Sequence, residues 1–325
     1  MKKAIITGGL GFIGSHLVSL LLKNNVECFI VDNKSSNVVE KIDGCEVLIS
    51  NVEYSFGHLP DDADVIFHLA SFVGPSGILK YSGEMGNTIV NDTYRLGNFC
   101  VKHNMMLVDI STSEVYGHKS LLDESSEKIY PGEYQVRTEY AAGKMLGEII
   151  TVNKAKVSDL KYQIIRPFNV AGKRQQPNGG FVLPRFVISA LTNQPITIFG
   201  DGQQERAFTD VNDVCSAILE VIKYKESSTW NIGNAGNRTT INELANRVVR
   251  HVKKRYPNNI FEFMYVDPKT IHGDLFSEAV DKIPYTAKME GLLNWYPKVP
   301  IDKTISDVID YYEDRIEKGY EFNII

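Results

Sequence analysis

Two groupings in this chain have the residue types and the spacing that acid–base chemistry needs. The first is Tyr140-Ala-Ala-Gly-Lys144. Residues four apart on a helix share a face, which puts the phenol and the ammonium one turn from each other. A nearby ammonium stabilises phenolate and draws the tyrosine down from about 10, toward use as a base near neutrality. The second is Ser111-Thr112-Ser113-Glu114-Val115-Tyr116-Gly117, which begins where the apolar run at 106–110 ends. In open α/β sheets ligands bind beyond the carboxyl ends of the strands. Hydroxyls there can hydrogen-bond a substrate alcohol, and Glu114 offers a second base. Each grouping also has a plain structural reading, a surface pair for the first and a capping turn for the second.

A third grouping points to a phosphate-bearing ligand. Thr7-Gly8-Gly9-Leu10-Gly11-Phe12-Ile13-Gly14 follows an apolar run and opens a helical pattern. Gly8 allows the tight turn, Gly11 lets the backbone approach a pyrophosphate, and Gly14 lets helix pack on strand. The helix N-terminus offers free N–H groups and a positive dipole end to the phosphates. Asp32 ends the next apolar run, where a carboxylate accepts from ribose hydroxyls and repels a 2′-phosphate. NAD is therefore expected over NADP.

These groupings need a scaffold, and the periodicity supplies one. Strands are expected at 4–7, 28–31, 46–49, 65–69, 106–110 and 162–166. Helices are expected at 12–23 and from near Glu133 through the Tyr140 turn. Near-continuous apolar strands alternating with helices predict an α/β fold, a Rossmann-type doubly wound parallel sheet. After Asn169 the chain becomes rich in Gly, Pro and Asn, then predicts a helix at 184–191, a strand at 196–199 and a helix at 241–253. The expected division is an NAD-binding domain at 1–169 and a smaller α/β substrate-binding domain at 170–325. The chain is expected to return to the first near 208–213 and 229–233.

Composition agrees with a globular enzyme of 325 residues, 43% hydrophobic and 23% charged. The net charge of −5 argues against a nucleic-acid partner. The four cysteines are scattered, without a metal-ligand pattern, so no metal is expected and a reducing cytoplasm is. No apolar run reaches the ~20 residues of a membrane span, and the N-terminus lacks a signal-peptide core.

With these motifs in order, the chain resembles an extended short-chain dehydrogenase/reductase of the nucleotide-sugar epimerase/dehydratase family. The likeness runs through Thr7–Gly14, Asp32-Asn33, His68-Leu69-Ala70, Ser111–Gly117, Tyr140/Lys144, Arg166-Pro-Phe-Asn169, Ile198-Phe-Gly-Asp-Gly202 and Arg206-Ala-Phe-Thr-Asp210. It implies that Tyr140 is the base, that Lys144 holds the nicotinamide ribose and that Thr112 bonds the reacting hydroxyl. NAD would be lined by Gly8, Gly11, Phe12, Ile13, Gly14, Asp32, Asn33, Ser36, Asn51, Val52, Leu69, Ala70, Ser71, Thr88 and Pro167, with Tyr140 and Lys144. Asn51 stands where such proteins usually carry Asp, and its amide can still accept and donate. A nucleotide-diphosphate sugar would meet Ser113, Asn169, Val182, Thr197, Phe199, Arg206 and Asp274, with Arg206 on a phosphate. The family often has a second phosphate-binding arginine before Gly-Asp. Here the stretch reads Ile271-His272-Gly273-Asp274, and His272 is either its substitute or an ordinary surface residue. Relatives commonly form homodimers through the tyrosine helix and the helix before it, here around 88–103.

The shared first step oxidises the sugar at carbon 4. The ketone acidifies the carbon-5 proton and makes a carbon-6 carboxylate a β-keto acid. Three outcomes follow: 4-epimerisation, 4,6-dehydration or decarboxylation. Glu114 favours a 4,6-dehydratase, in which it removes the carbon-5 proton. Decarboxylation of a nucleotide-glucuronate and 4-epimerisation are the alternatives, since Thr-Ser-Glu also resembles the decarboxylases and Ser113 replaces the Asp of many dehydratases. Arg137, one turn before Tyr140, faces either a sugar carboxylate or solvent. A catalytically silent nucleotide-binding subunit is the alternative of another class, and the presence of both Tyr140 and Lys144 counts against it.

Overall fold

A computed structural model of the chain describes residues 1–72, 74–117, 122–273 and 282–322. Strands and helices are numbered along the chain. β1 (Lys3–Thr7), β2 (Glu27–Asp32), β3 (Glu46–Ile49), β4 (Val65–His68), β5 (Met106–Ile110), β6 (Lys161–Pro167) and β11 (Ser228–Ile232) form one sheet. Its seven strands run in the order β11-β6-β5-β4-β1-β2-β3, and each neighbouring pair is parallel. The short strands are β7 (Val170–Ala171) paired with β10 (Thr209–Asp210), β8 (Ile196–Phe199) with β13 (Phe263–Val266), and β9 (Glu205–Ala207) with β12 (Arg238–Thr240). The helices are α1 (Phe12–Lys23), α2 (Gly74–Lys80), α3 (Met85–His103), α4 (Val136–Val157) and α5 (Val182–Leu191). Beyond them come α6 (Val211–Val221), α7 (Ile241–Arg255), α8 (Pro268–His272), α9 (Ala287–Leu293) and α10 (Ile301–Glu317).

The central strands are apolar on both faces because helices cover both. Along β5, Val108 and Ile110 join a cluster with α1 and α6, and Leu107 joins another with Leu96 and Cys100 of α3. Successive side chains alternate between faces, so Asp109 points toward the α3–α4 side. Beyond β6 the chain builds a second core from α5, α7, α10 and the inward residues Ile196 and Ile198 of β8. α7 shows why: Ile241, Leu244, Ala245, Val248 and Val252 form one apolar stripe. A capping box between Thr240 and Glu243 starts that helix.

α4 begins at Val136 rather than near Glu133. Gln135 is extended, with φ −112° and ψ 155°, and its carbonyl accepts the first helical bonds from Thr138 and Glu139. Gly8 has φ +70°, and a Cβ there would lie 2.8 Å from the Ala70 nitrogen. The turn between β1 and α1 therefore requires glycine at this position.

Candidate active site

The carboxyl ends of the sheet strands and the second core enclose a cavity of about 600 Å³. Every nominated residue within the described part of the chain lines it. Gly8, Gly11, Phe12, Ile13, Gly14, Asp32, Asn33, Ser36, Asn51 and Val52 surround one end. Leu69, Ala70, Ser71, Thr88, Thr112, Ser113, Glu114, Tyr140, Lys144 and Pro167 line the middle, and Asn169, Val182, Thr197, Phe199 and Arg206 the other end. Asp274 and the His272 side chain lie outside the described residues.

Beside the glycine turn Asp32 is pinned by two backbone donors. Leu10 N–H donates to Oδ2 at 3.0 Å and Lys34 N–H to Oδ1 at 2.8 Å. Asn51 Oδ1 accepts from Asn33 Nδ2 at 2.8 Å, which joins the second and third strand ends across the cavity rim. Two cavity-lining polar atoms, Ser71 Oγ and Asn169 Nδ2, are buried without a hydrogen-bond partner among the described residues. Buried polar atoms are normally satisfied, so these two suit groups of a bound molecule. With the glycine turn and Asp32 at one end, the cavity fits a dinucleotide.

The Tyr140–Lys144 pair also lines the cavity. Lys144 is 3% exposed and its Nζ donates to the Ile110 carbonyl at 2.7 Å. Tyr140 is 6% exposed and lines the cavity together with the Thr112 hydroxyl. That hydroxyl also accepts from Glu114 N–H at 3.1 Å, capping the short helical turn at Ser113–Tyr116. Burial pushes the Tyr140 phenol above its ordinary value, and the Thr112 hydroxyl and the Arg137 charge only partly oppose this. The sequence expectation of a phenol lowered by Lys144 is therefore corrected for the protein by itself. A phenolate gains little where water is excluded, and Lys144 is itself pushed down by burial.

Glu114 is held between two cations. Arg137 Nη1 lies 3.2 Å from Oε1, and Lys282 Nζ 2.7 Å from Oε2. Burial pushes the carboxyl up, but Lys282 and Arg137 outweigh it and keep it below the ordinary range. Arg137 thus meets Glu114 at the cavity wall. Lys282 was not nominated: it lies in a stretch with no motif and reaches the site through a bridge to Arg206. Gln175, Gln176, Phe181 and Arg185 also line the cavity, Gln176 donating to the Asn37 carbonyl at 2.6 Å. The Gly-rich stretch at 171–180 marked the place but no particular side chain. Arg185 lies over the Phe199 ring, 4.4 Å from its centroid.

The profile of the NAD dependent epimerase/dehydratase family matches residues 4–233. The chain belongs to that family, and NAD is its cofactor. It is 30% identical over 325 residues to the UDP-N-acetyl-alpha-D-glucosaminuronate decarboxylase of Bacillus cytotoxicus, covering 96% of this chain and 98% of that one. It is 27% identical to UDP-glucuronic acid decarboxylase 1 of Danio rerio, covering 97% of this chain and 74% of that one. Among solved structures it resembles the UDP-glucose 4-epimerase of Thermotoga maritima, determined with UDP-glucose. That match has a TM-score of 0.81 at 26% identity and covers 97% of this chain and 99% of the other.

Proposed function

We propose that this enzyme decarboxylates a UDP-activated hexuronate through a 4-keto intermediate. The observation that carries the reading is Glu114 bound by Arg137 and Lys282 beside Tyr140. A dehydratase needs a carboxylate that accepts the carbon-5 proton, and two cations make Glu114 a weak acceptor. Decarboxylation needs no base at carbon 5. It needs the substrate carboxylate to be recognised, and Arg137, which lines the cavity beside Glu114, is the cation placed to do so. The two decarboxylase relatives support the same choice over dehydration, the outcome favoured from sequence.

In this reading Thr112 orients the carbon-4 hydroxyl and Tyr140 takes its proton. Bound NAD supplies the hydride acceptor, held by the Gly8–Gly14 turn, Asp32 and Lys144. The carbon-5 to carbon-6 bond then breaks, carbon dioxide leaves, and the electron pair delocalises onto the carbon-4 oxygen beside Tyr140 and Thr112. Carbon 5 takes up a proton. Return of the hydride to carbon 4, with Tyr140 giving its proton back to the oxygen, would regenerate NAD and leave a net loss of carbon dioxide alone. Asn169, Val182, Thr197, Phe199 and Arg206 hold the nucleotide diphosphate.

Mass spectrometry of the purified enzyme with UDP-glucuronate and UDP-N-acetylglucosaminuronate tests this. A loss of roughly 44 mass units is expected, and a loss of roughly 18 would restore dehydration.

The assembly we propose is a symmetric homodimer joined through α3 and α4. Tyr94 and Val101 of α3 and Leu146 and Ile149 of α4 are apolar and exposed, and these two helices pack closely together. The described cysteines are all free, and no described helix is long and apolar enough to cross a membrane. The cytoplasm is the proposed location.

A further inference from the structure

Beneath the Tyr140–Lys144 pair the sheet carries a polar row that the proposed chemistry does not use. Thr7, His68 and Asp109 are register partners across β1, β4 and β5, so their side chains emerge on one face, the face covered by α3 and α4. Thr7 Oγ1 and His68 Nδ1 are hydrogen-bonded at 2.8 Å. Burial, with the Lys144 charge second, holds His68 at about 3, so it is a neutral imidazole at working pH. Asp109 is 1% exposed, and its Oδ1 has no hydrogen-bond partner among the described residues. An uncommitted carboxylate in a central strand is costly, and an apolar residue would pack there without that cost.

The groups that face Asp109 suggest what offsets the cost. From α4 come Lys144, whose Nζ donates to the carbonyl of Ile110, the residue after Asp109 on β5, with Glu148 and the Tyr140 phenol; the Asp109 charge acts on both Lys144 and Tyr140. Glu148 is already committed. Arg166 binds both its oxygens, Nε to Oε1 at 2.9 Å and Nη2 to Oε2 at 2.5 Å, and Ser111 Oγ donates to Oε1. Asp92, on α3, is the remaining acid that acts on Lys144. Burial works against the Lys144 ammonium, and Asp109 is the largest influence in its favour.

We infer that Asp109 is a positioning residue for the Tyr140–Lys144 pair, the buried counter-charge that keeps the Lys144 ammonium protonated beside the phenol. It acts through Lys144 and touches neither substrate nor cofactor. Burial raises the Asp109 carboxyl to about 6, so the counter-charge is present at neutral pH and is lost as pH falls below that value. The inference rests on the reading of Tyr140 and Lys144 as the redox pair, and the first arm of its test does not need a substrate.

That arm follows the Lys144 Cε signal by carbon-13 NMR in NAD-loaded protein, assigned by its loss in Lys144→Arg. Asp109→Asn keeps the side-chain shape. Asp109→Leu places an apolar residue in a buried strand and secures a folded variant if the amide does not. Both should lower the Lys144 titration midpoint by about one pH unit or more. The alkaline limb of kcat/KM should move down with it, while thermal stability is kept or raised. A midpoint that stays at the wild-type value overturns the inference. A lowered midpoint with an unmoved rate profile overturns the role assigned to the Lys144 charge, and with it the reading of the redox pair.

Discussion

Lys282 Nζ lies 2.7 Å from Glu114 Oε2, and the Lys282 side chain is 5% exposed. The two residues come from opposite parts of the chain, one from the strand-end turn after β5, the other from the segment before α9. Cutting one partner from such a pair leaves the other charge buried. Lys282→Met is expected to lower kcat/KM for a UDP-hexuronate by at least about 30-fold, the equivalent of about 2 kcal/mol. Unchanged kinetics on that substrate would remove Lys282 from the site.

Glu114→Gln separates counter-ion from base. General-base catalysis is worth about 10²–10⁴-fold, whereas a carboxylate that only organises Arg137 and Lys282 leaves the chemical step running. The variant is expected to keep kcat within about 10²-fold of wild type, with most of the loss in KM. A collapse of kcat with KM unmoved would return Glu114 to the role of proton acceptor.

The same carboxyl predicts a pH dependence of stability. Its folded value is held below the ordinary range, so its contribution is fully present above an unfolded value of about 4.3 and is lost as pH falls through the folded value. Glu114→Gln should therefore lower the melting temperature at neutral pH, and the gap to wild type should close in strong acid. A gap independent of pH would mean that packing, and not charge, accounts for the difference.

Tyr140 should remain a phenol in the cofactor-free protein up to its ordinary value and beyond, because burial outweighs the groups that favour phenolate. The check is ultraviolet absorbance of wild type minus Tyr140→Phe through an alkaline titration. An ionisation step near neutrality in that difference would show that the Lys144 charge prevails over desolvation.

Arg166 and Glu148 form a buried bidentate pair that ties α4 to β6. Removing one member of such a pair costs about 3–5 kcal/mol, whereas replacing both by apolar residues is often neutral. Denaturant unfolding should find Glu148→Ala destabilised by that amount and Glu148→Leu with Arg166→Met much less affected. Equal losses in the two would assign the effect to the Ser111 and Tyr116 contacts of the pair instead.

The parts legible in the sequence are those set by local spacing. Tyr140 and Lys144 share a helix face because they are four residues apart, and the glycine turn suits a dinucleotide because it joins a buried strand to a helix N-terminus. The strands at 46–49, 106–110 and 196–199 also follow from runs of β-type residues. What the sequence could not decide depends on which distant side chains share a dry space. Lys282 has no motif of its own, and only the folding of its segment against Arg206 brings it to Glu114. Asp109 reads as one polar residue in an apolar strand until α4 is laid over it and Lys144 becomes its neighbour. The acidity of Tyr140 turns on the same fact: spacing sets which charge is near, but burial, a property of the whole packed molecule, sets what that charge is worth.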